Sequence, residues 1–190
     1  MVIWEDFREP TRTRYGQVLD SAFMPLGPNS RISEVTGTDQ RHPALDACRR
    51  GFVVVWNESH GTQSCVWGRR FAPDGTALGP SFPVFLQAMM NPECAMDTNG
   101  NTWVVAERSG DGRNEVSLSL LDPQGQVPIG PVAISDSGVV AYSRCPSVST
   151  LADRSRALIT WIDWRADVKV RVQLVDSVGR KLGGANSISN

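Results

Sequence analysis

Val54-Val55-Trp56-Asn57, followed downstream by Leu78-Gly79, is one of four copies of a phrase that organises the whole chain. The other copies open on Val2-Ile3-Trp4-Glu5, Val104-Val105-Ala106-Glu107 and Ile159-Thr160-Trp161-Ile162, so the Trp position advances by 52, 50 and 55 residues. The closing pair recurs as Leu26-Gly27, Ile129-Gly130 and Leu182-Gly183, advancing by 52, 51 and 53 residues. Two separate markers sharing one period identify a repeat architecture before any residue is assigned a role.

The second copy shows what one unit contains. His42 to Ala47 reads as a first strand opened by Pro43, Cys48-Arg49-Arg50-Gly51 as a turn, and Phe52 to Trp56 as a second strand that is apolar at every position. A strand of that pattern is buried on both faces, as strands inside a stack of sheets are. Asn57 to Thr62 reads as a polar hairpin loop, Ser64 to Ala72 as a third strand, and Ser81 to Leu86 as a short outer strand. Between the last two, Pro73-Asp74-Gly75-Thr76 supplies a turn with Pro early and Gly late. Copies three and four repeat the order from Pro92 and Pro146, and helix signals are nearly absent.

Four short antiparallel strands per unit, repeated at a fixed period, predict an all-β β-propeller with units near 1–41, 42–90, 91–144 and 145–190. A β-sandwich has many short strands but no reason to repeat one phrase. In this reading Trp4, Trp56 and Trp161 are blade core, and Gly27, Gly79, Gly130 and Gly183 mark the end of each third-strand turn. The first copy begins at its second strand and has no Pro-led inner strand, while Ser187-Ile188-Ser189-Asn190 is used up as the outer strand of the fourth. The expectation is therefore fifteen strands of a sixteen-strand pattern. Such a chain is either a segment of a longer propeller or one that completes its ring with other chains.

Composition excludes several function classes. The net charge of −1 offers no broad field for nucleic acid, and the Arg12-Thr13-Arg14, Arg49-Arg50 and Arg69-Arg70 clusters read as solvated strand-edge charge. No run of apolar residues is long enough to span a membrane as a helix. Met1-Val2-Ile3-Trp4-Glu5-Asp6 carries acids where a secretion signal would carry cations. Cys48, Cys65, Cys94 and Cys145 have no zinc-like spacing, and no cofactor or metal is expected. Four cysteines allow three connectivities; in the repeat frame Cys94 and Cys145 fall beside equivalent prolines in consecutive units, so the expectation is a Cys94–Cys145 bridge, with buried free thiols as the alternative.

The phrase Phe52-Val53-Val54-Val55-Trp56, with Gly68-Arg69-Arg70-Phe71-Ala72-Pro73-Asp74-Gly75 and Leu78-Gly79 behind it, resembles repeats of large bacterial secreted and surface proteins that are understood as propeller blades. The resemblance runs along the whole chain and is weakest in copy three, where Ala106 stands for the Trp and Leu118 for the Gly. It implies an extracellular or cell-envelope protein with an interaction role, and it carries over no catalytic residue.

Chemistry is harder to read. His42 and His60 lack a Ser nucleophile on a G-x-S-x-G turn. The acids after the anchor, Glu5, Glu58, Glu107 and Asp163, would serve glycoside cleavage only by converging on one cleft, and on separate blades they are expected to lie too far apart. Asp97-Thr98-Asn99-Gly100-Asn101 begins like a calcium loop, but Arg108 stands where its bidentate Glu belongs, so a strand-connecting turn is expected. The aromatics outside the anchor are the best hint. Tyr15, Trp67 and Trp164 form the expected ligand surface, with Asp163 and Arg165 flanking Trp164 in a hairpin loop where a ring can stack on a sugar. The leading expectation is a non-enzymatic module that recognises a glycan or protein partner through blade loops. The alternatives are a building block that self-assembles through its incomplete first blade, and a glycosidase-type propeller enzyme with carboxylates gathered at the axis.

Overall fold

A computed structural model describes every residue except 62, 111–112, 136–141, 152–154, 165–166 and 189–190. Among the described residues there are fifteen β-strands and no helix. They are β1 (Val2–Asp6), β2 (Thr13–Gln17), β3 (Ser30–Arg31), β4 (Asp39–Cys48), β5 (Gly51–His60), β6 (Gln63–Phe71), β7 (Phe82–Phe85), β8 (Met89–Met96), β9 (Thr102–Gly110), β10 (Arg113–Leu121), β11 (Ile129–Ala133), β12 (Ser143–Thr150), β13 (Arg156–Asp163), β14 (Lys169–Asp176) and β15 (Lys181–Ser187). They form four antiparallel meander sheets: β1-β2-β3, β4-β5-β6-β7, β8-β9-β10-β11 and β12-β13-β14-β15. These are blades 1 to 4 of a β-propeller, and the first lacks its inner strand.

Alternation along each second strand decides which blades touch. On β5, Val54 and Trp56 turn toward blade 1 and cluster with Ile3 and Ile32, while Val53 and Val55 turn toward blade 3 and cluster with Val104, Ala106 and Met89. All four β5 side chains are fully buried, as a strand without a polar face requires. On the far side of blade 3, Val105 and Leu118 pack with Ile159 and Trp161 of blade 4. The third copy compensates for its missing anchor. Ala106 opposes blade 2 beside the buried Met89 and Met96, and the large ring moves to Trp103 on the opposite face, 1% exposed, against blade 4.

Packing runs from blade 1 to blade 2, 2 to 3 and 3 to 4, and no comparable packing joins blade 4 back to blade 1 among the described residues.

Several boundaries differ from the sequence expectation. Asn57 to His60 continue β5 instead of forming a loop, because Asn57 and Glu58 are buried and hydrogen-bonded to neighbouring strands. The fourth outer strand starts at Lys181, directly after the turn, and ends at Ser187. The expected Cys94–Cys145 bridge does not form, and all four thiols are free. Cys94 lies two residues past Pro92 and packs inward between blades 2 and 3, whereas Cys145 immediately precedes Pro146 and is exposed. The two are not at the same frame position, so their side chains leave the strands in different directions.

The turns after the third strands share one construction. The Asp122 carboxylate accepts from the Gln124 and Gln126 amides, and that of Asp176 accepts from the Val178 and Arg180 amides. Asp97 closes the β8–β9 turn the same way through Asn99 and Asn101, which accounts for its oxygen ligands without calcium. Gly75, Gly125 and Gly179 take the left-handed position of these turns, but in blade 1 that position is Phe23, at φ 61° and 80% exposed. A bulky residue there is strained. Replacing it with glycine forfeits little burial, so Phe23→Gly should raise stability by about 0.5–1 kcal/mol, read as a higher urea midpoint.

Candidate active site at the propeller axis

The inner strands of blades 2, 3 and 4 each carry a bulge at the same place, between Arg41 and Ala44, Met90 and Glu93, and Arg144 and Ser147. In each bulge the residue before proline adopts a left-handed backbone: His42 at φ 49°, Asn91 at 51° and Cys145 at 51°. That conformation is disfavoured for any side-chain-bearing residue, and the following proline restricts it further. Strain of this kind persists only where surrounding contacts hold it.

The holding contacts come from the neighbouring blade. The His42 amide donates to Glu5 Oε1 at 3.1 Å, the Asn91 amide to Asn57 Oδ1 at 2.8 Å, and the Cys145 amide to Glu107 Oε1 at 2.5 Å. Glu5, Asn57 and Glu107 all directly follow the anchor position of their copies. Each blade thus clasps the inner strand of the next, and Asn57 adds a second bond from Nδ2 to the Met89 carbonyl at 2.8 Å.

The three bulges converge on a pocket of about 330 Å³ lined by His42, Pro43, Asn91, Pro92, Glu93, Cys145 and Pro146. Three prolines make its wall stiff, and Glu93 is its only acid. Glu93 is itself solvent-exposed, and the partial desolvation of its carboxyl raises it above its ordinary value, toward the protonated form. Behind His42, Glu5 Oε1 also lies 3.3 Å from the guanidinium of Arg14, a residue with no exposed surface. Burial lowers Arg14 to about 10, partly opposed by Glu5, and the side chain remains a cation at neutral pH. A larger pocket of about 450 Å³ lies at the opposite end, near the third-strand turns. Its cation, Arg70, is already committed to the carbonyls of Gly100 and Asp122 and to Thr102, so that pocket offers little free chemistry.

The residues expected to bind ligand are not brought together. Trp164 is 52% exposed on the β13–β14 hairpin, with its amide on the Tyr142 carbonyl. Asp163 is buried and paired with Arg171 at 3.3 Å. Trp67 is packed in the core between blades 1 and 2, and Tyr15 lies on the open face of blade 1, stacked with Trp4 at 6.4 Å. Arg165 falls outside the described residues, as does the side chain of His60.

The acids behave differently from the expectation that all four would be scattered. Glu58 and Asp163 serve strand ends, but Glu5 and Glu107 reach the wall of one axial pocket through the clasps. Sequence reasoning missed Glu93 and Asn91. The signal was present, since the residues flanking Pro43, Pro92 and Pro146 share one frame and must therefore meet at the axis.

No protein-family model and no curated protein matches the chain. Solved structures do. An endo-arabinase from Bacteroides thetaiotaomicron is similar over 99% of this chain and 76% of its own, at 12% identity and a TM-score of 0.55. A thermostable family-43 glycoside hydrolase is similar over 80% of this chain and 55% of its own, at 10% identity and 0.55. A protein of unknown function from Dyadobacter fermentans reaches 0.61 at 12% identity, over 90% of this chain and 48% of its own. The chain thus spans about three quarters of the first and about half of the other two. At these identities the likeness establishes the fold.

It also corrects the functional expectation. The leading expectation, a non-enzymatic recognition module, does not stand against the comparison, because several of the similar solved structures are named as glycoside hydrolases, among them an alpha-L-arabinofuranosidase from Lactobacillus brevis. The glycosidase alternative is the better supported of the readings.

Proposed function

We propose that this propeller cleaves glycosidic bonds at its axis, with Glu93 as the general acid. The observation that supports it is Glu93, a carboxyl raised by desolvation that lines the axial pocket, with a second carboxylate, Glu5, directly behind the His42 wall, where its Oε1 accepts from the His42 amide and lies beside Arg14. Glycoside hydrolysis needs that division of labour: one acid kept protonated to donate to the leaving oxygen, one carboxylate kept ionised to activate water or attack carbon.

Substrate class follows from the similar structures, two of which are named for arabinan chemistry, so a pentose-containing polysaccharide is the first candidate. A polymer of that kind is met outside the cytoplasm, which fits an extracellular or envelope protein. Trp164, with Tyr142 beside it, is the platform on the rim for a further sugar ring. Trp164→Ala should raise KM for a polysaccharide by about five- to tenfold while leaving kcat on a short aryl glycoside unchanged.

The test is incubation of the purified chain with linear arabinan, xylan and the matching aryl glycosides, following the anomeric protons by NMR. Product of a single anomeric configuration is expected. Binding without turnover, or no turnover of any of these substrates, would overturn the proposal.

A further inference from the structure

The pocket of about 450 Å³ near the third-strand turns has no group for catalysis, but it holds a cation that blade packing does not call for. Arg70 stands opposite Val53, three residues past the strand partner of the Trp56 anchor. At that register the other three blades carry Val18, Leu120 and Leu174, so an aliphatic side chain satisfies the packing there. Arg70 is 8% exposed, and the bonds that commit it, to Gly100, Thr102 and Asp122, all leave from Nη2. Its Nε is buried without an acceptor. The carboxylates whose charge acts on it, Asp122 and Asp97, are engaged by the amides of their own turns. A buried cation with unused donors and no paired counter-ion is costly to the fold, and burial pulls Arg70 below its ordinary value.

A second pocket of about 190 Å³ adjoins the first, sharing Arg70, Leu78, Pro123 and Gln124 with it and adding Arg50, which is exposed. Among the described residues, no Asp or Glu lines either pocket. One wall is apolar, built from Leu78, Phe82 and Pro123, and Gln124 and Gln126 bring exposed side-chain amides to the other. The cleft lies between blades 2 and 3, each of which is packed by a neighbour on both sides. A bare inorganic anion has no use for an apolar wall and amides, whereas an anion carried on an organic ring uses all three.

We propose that Arg70 and Arg50 form a binding site for the carboxylate of a uronic acid unit, with the sugar ring over Phe82 and Pro123 and its hydroxyls toward Gln124 and Gln126. The anion stands on the two arginines, and the choice of a sugar to carry it rests on the proposed glycosidase function. At the end of the propeller away from the axial pocket, the site holds a distant acidic unit of a polysaccharide, not the bond that is cleaved.

Calorimetric titration of the full chain with sodium glucuronate tests this, with glucose and inorganic phosphate as controls. Glucuronate is expected to bind saturably, and glucose, which lacks the carboxylate, about tenfold or more weaker. Arg50→Ala, at an exposed position that leaves the fold intact, should weaken glucuronate binding by about fivefold, and Arg70→Leu, which installs the residue type of the other blades, should abolish it. Glu93→Gln should leave it unchanged, which separates this site from the axial pocket. Glucuronate binding that persists where no polysaccharide is cleaved keeps the site and removes the glycosidase function. Equal affinity for glucuronate and glucose, phosphate binding as tight as glucuronate, or binding indifferent to both arginine substitutions would overturn the proposal, as would the absence of saturation below about 20 mM.

Discussion

Glu93→Gln should lower turnover of an unactivated polysaccharide by about 10²–10⁴-fold, the usual contribution of a positioned general acid. The substitution keeps the shape of the side chain and removes its transferable proton. A good leaving group needs little protonation, so the same variant should lose less than about tenfold on a dinitrophenyl glycoside. The pH profile gives a second readout. Desolvation raises the Glu93 carboxyl, and the acid works only while protonated, so wild-type kcat/KM should fall as pH rises through that raised value. In Glu93→Gln that alkaline limb should disappear. An equal loss on activated and unactivated substrates, with the limb retained, would assign Glu93 a packing role.

Trp56→Ala should cost about 3–5 kcal/mol, with a fall in Tm of about 6–20 °C. The indole is fully buried among Ile32, Val54, Phe71, Leu45 and Phe52, where blade 1 meets blade 2. Removing it opens a cavity at the junction that carries the three-stranded blade. It also takes a donor from Glu58 Oε2, a buried carboxylate that otherwise shares that oxygen with Gln40 at 3.2 Å. Trp56→Phe separates the two effects, because it fills most of the volume and removes only the indole N–H. Its expected cost is about 1–3 kcal/mol, from leaving a buried polar partner short of one bond. Urea midpoints that place both variants within 0.5 kcal/mol of wild type, on the scale of an ordinary surface substitution, would mean blade 1 contributes little to the fold.

Much of the architecture was legible in the sequence because it is local. A run apolar at every position states that both faces of β5 are covered, and two anchors with one period state how often that happens. The missing Pro-led strand before Val2 was equally plain. Other features needed the neighbouring blade. Asn57 and Glu58 read as loop residues because they are polar, and they continue a strand because their partners, Met89, Asn91 and Gln40, are supplied by other strands. Ala106 looked like a lost core position until Trp103, three residues earlier, was found on the opposite face.

The candidate site shows the same division. By itself the sequence determined the number of repeat units in this chain and that its strands are covered on both faces, since these follow from the period of the anchors and from a run apolar at every position. It placed the inner strands from Pro43, Pro92 and Pro146, about three residues inside their true starts at Asp39, Met89 and Ser143, because the bulge before each proline interrupts the pattern. Only the tertiary structure decided that His42, Asn91, Glu93 and Cys145 surround one axial pocket, that Glu5 and Glu107 stand behind its wall, and that Cys94 and Cys145 face apart. Convergence at an axis depends on the rotation between successive blades, and that rotation is set by side chains packing across residues some fifty positions apart, beyond the reach of any local pattern.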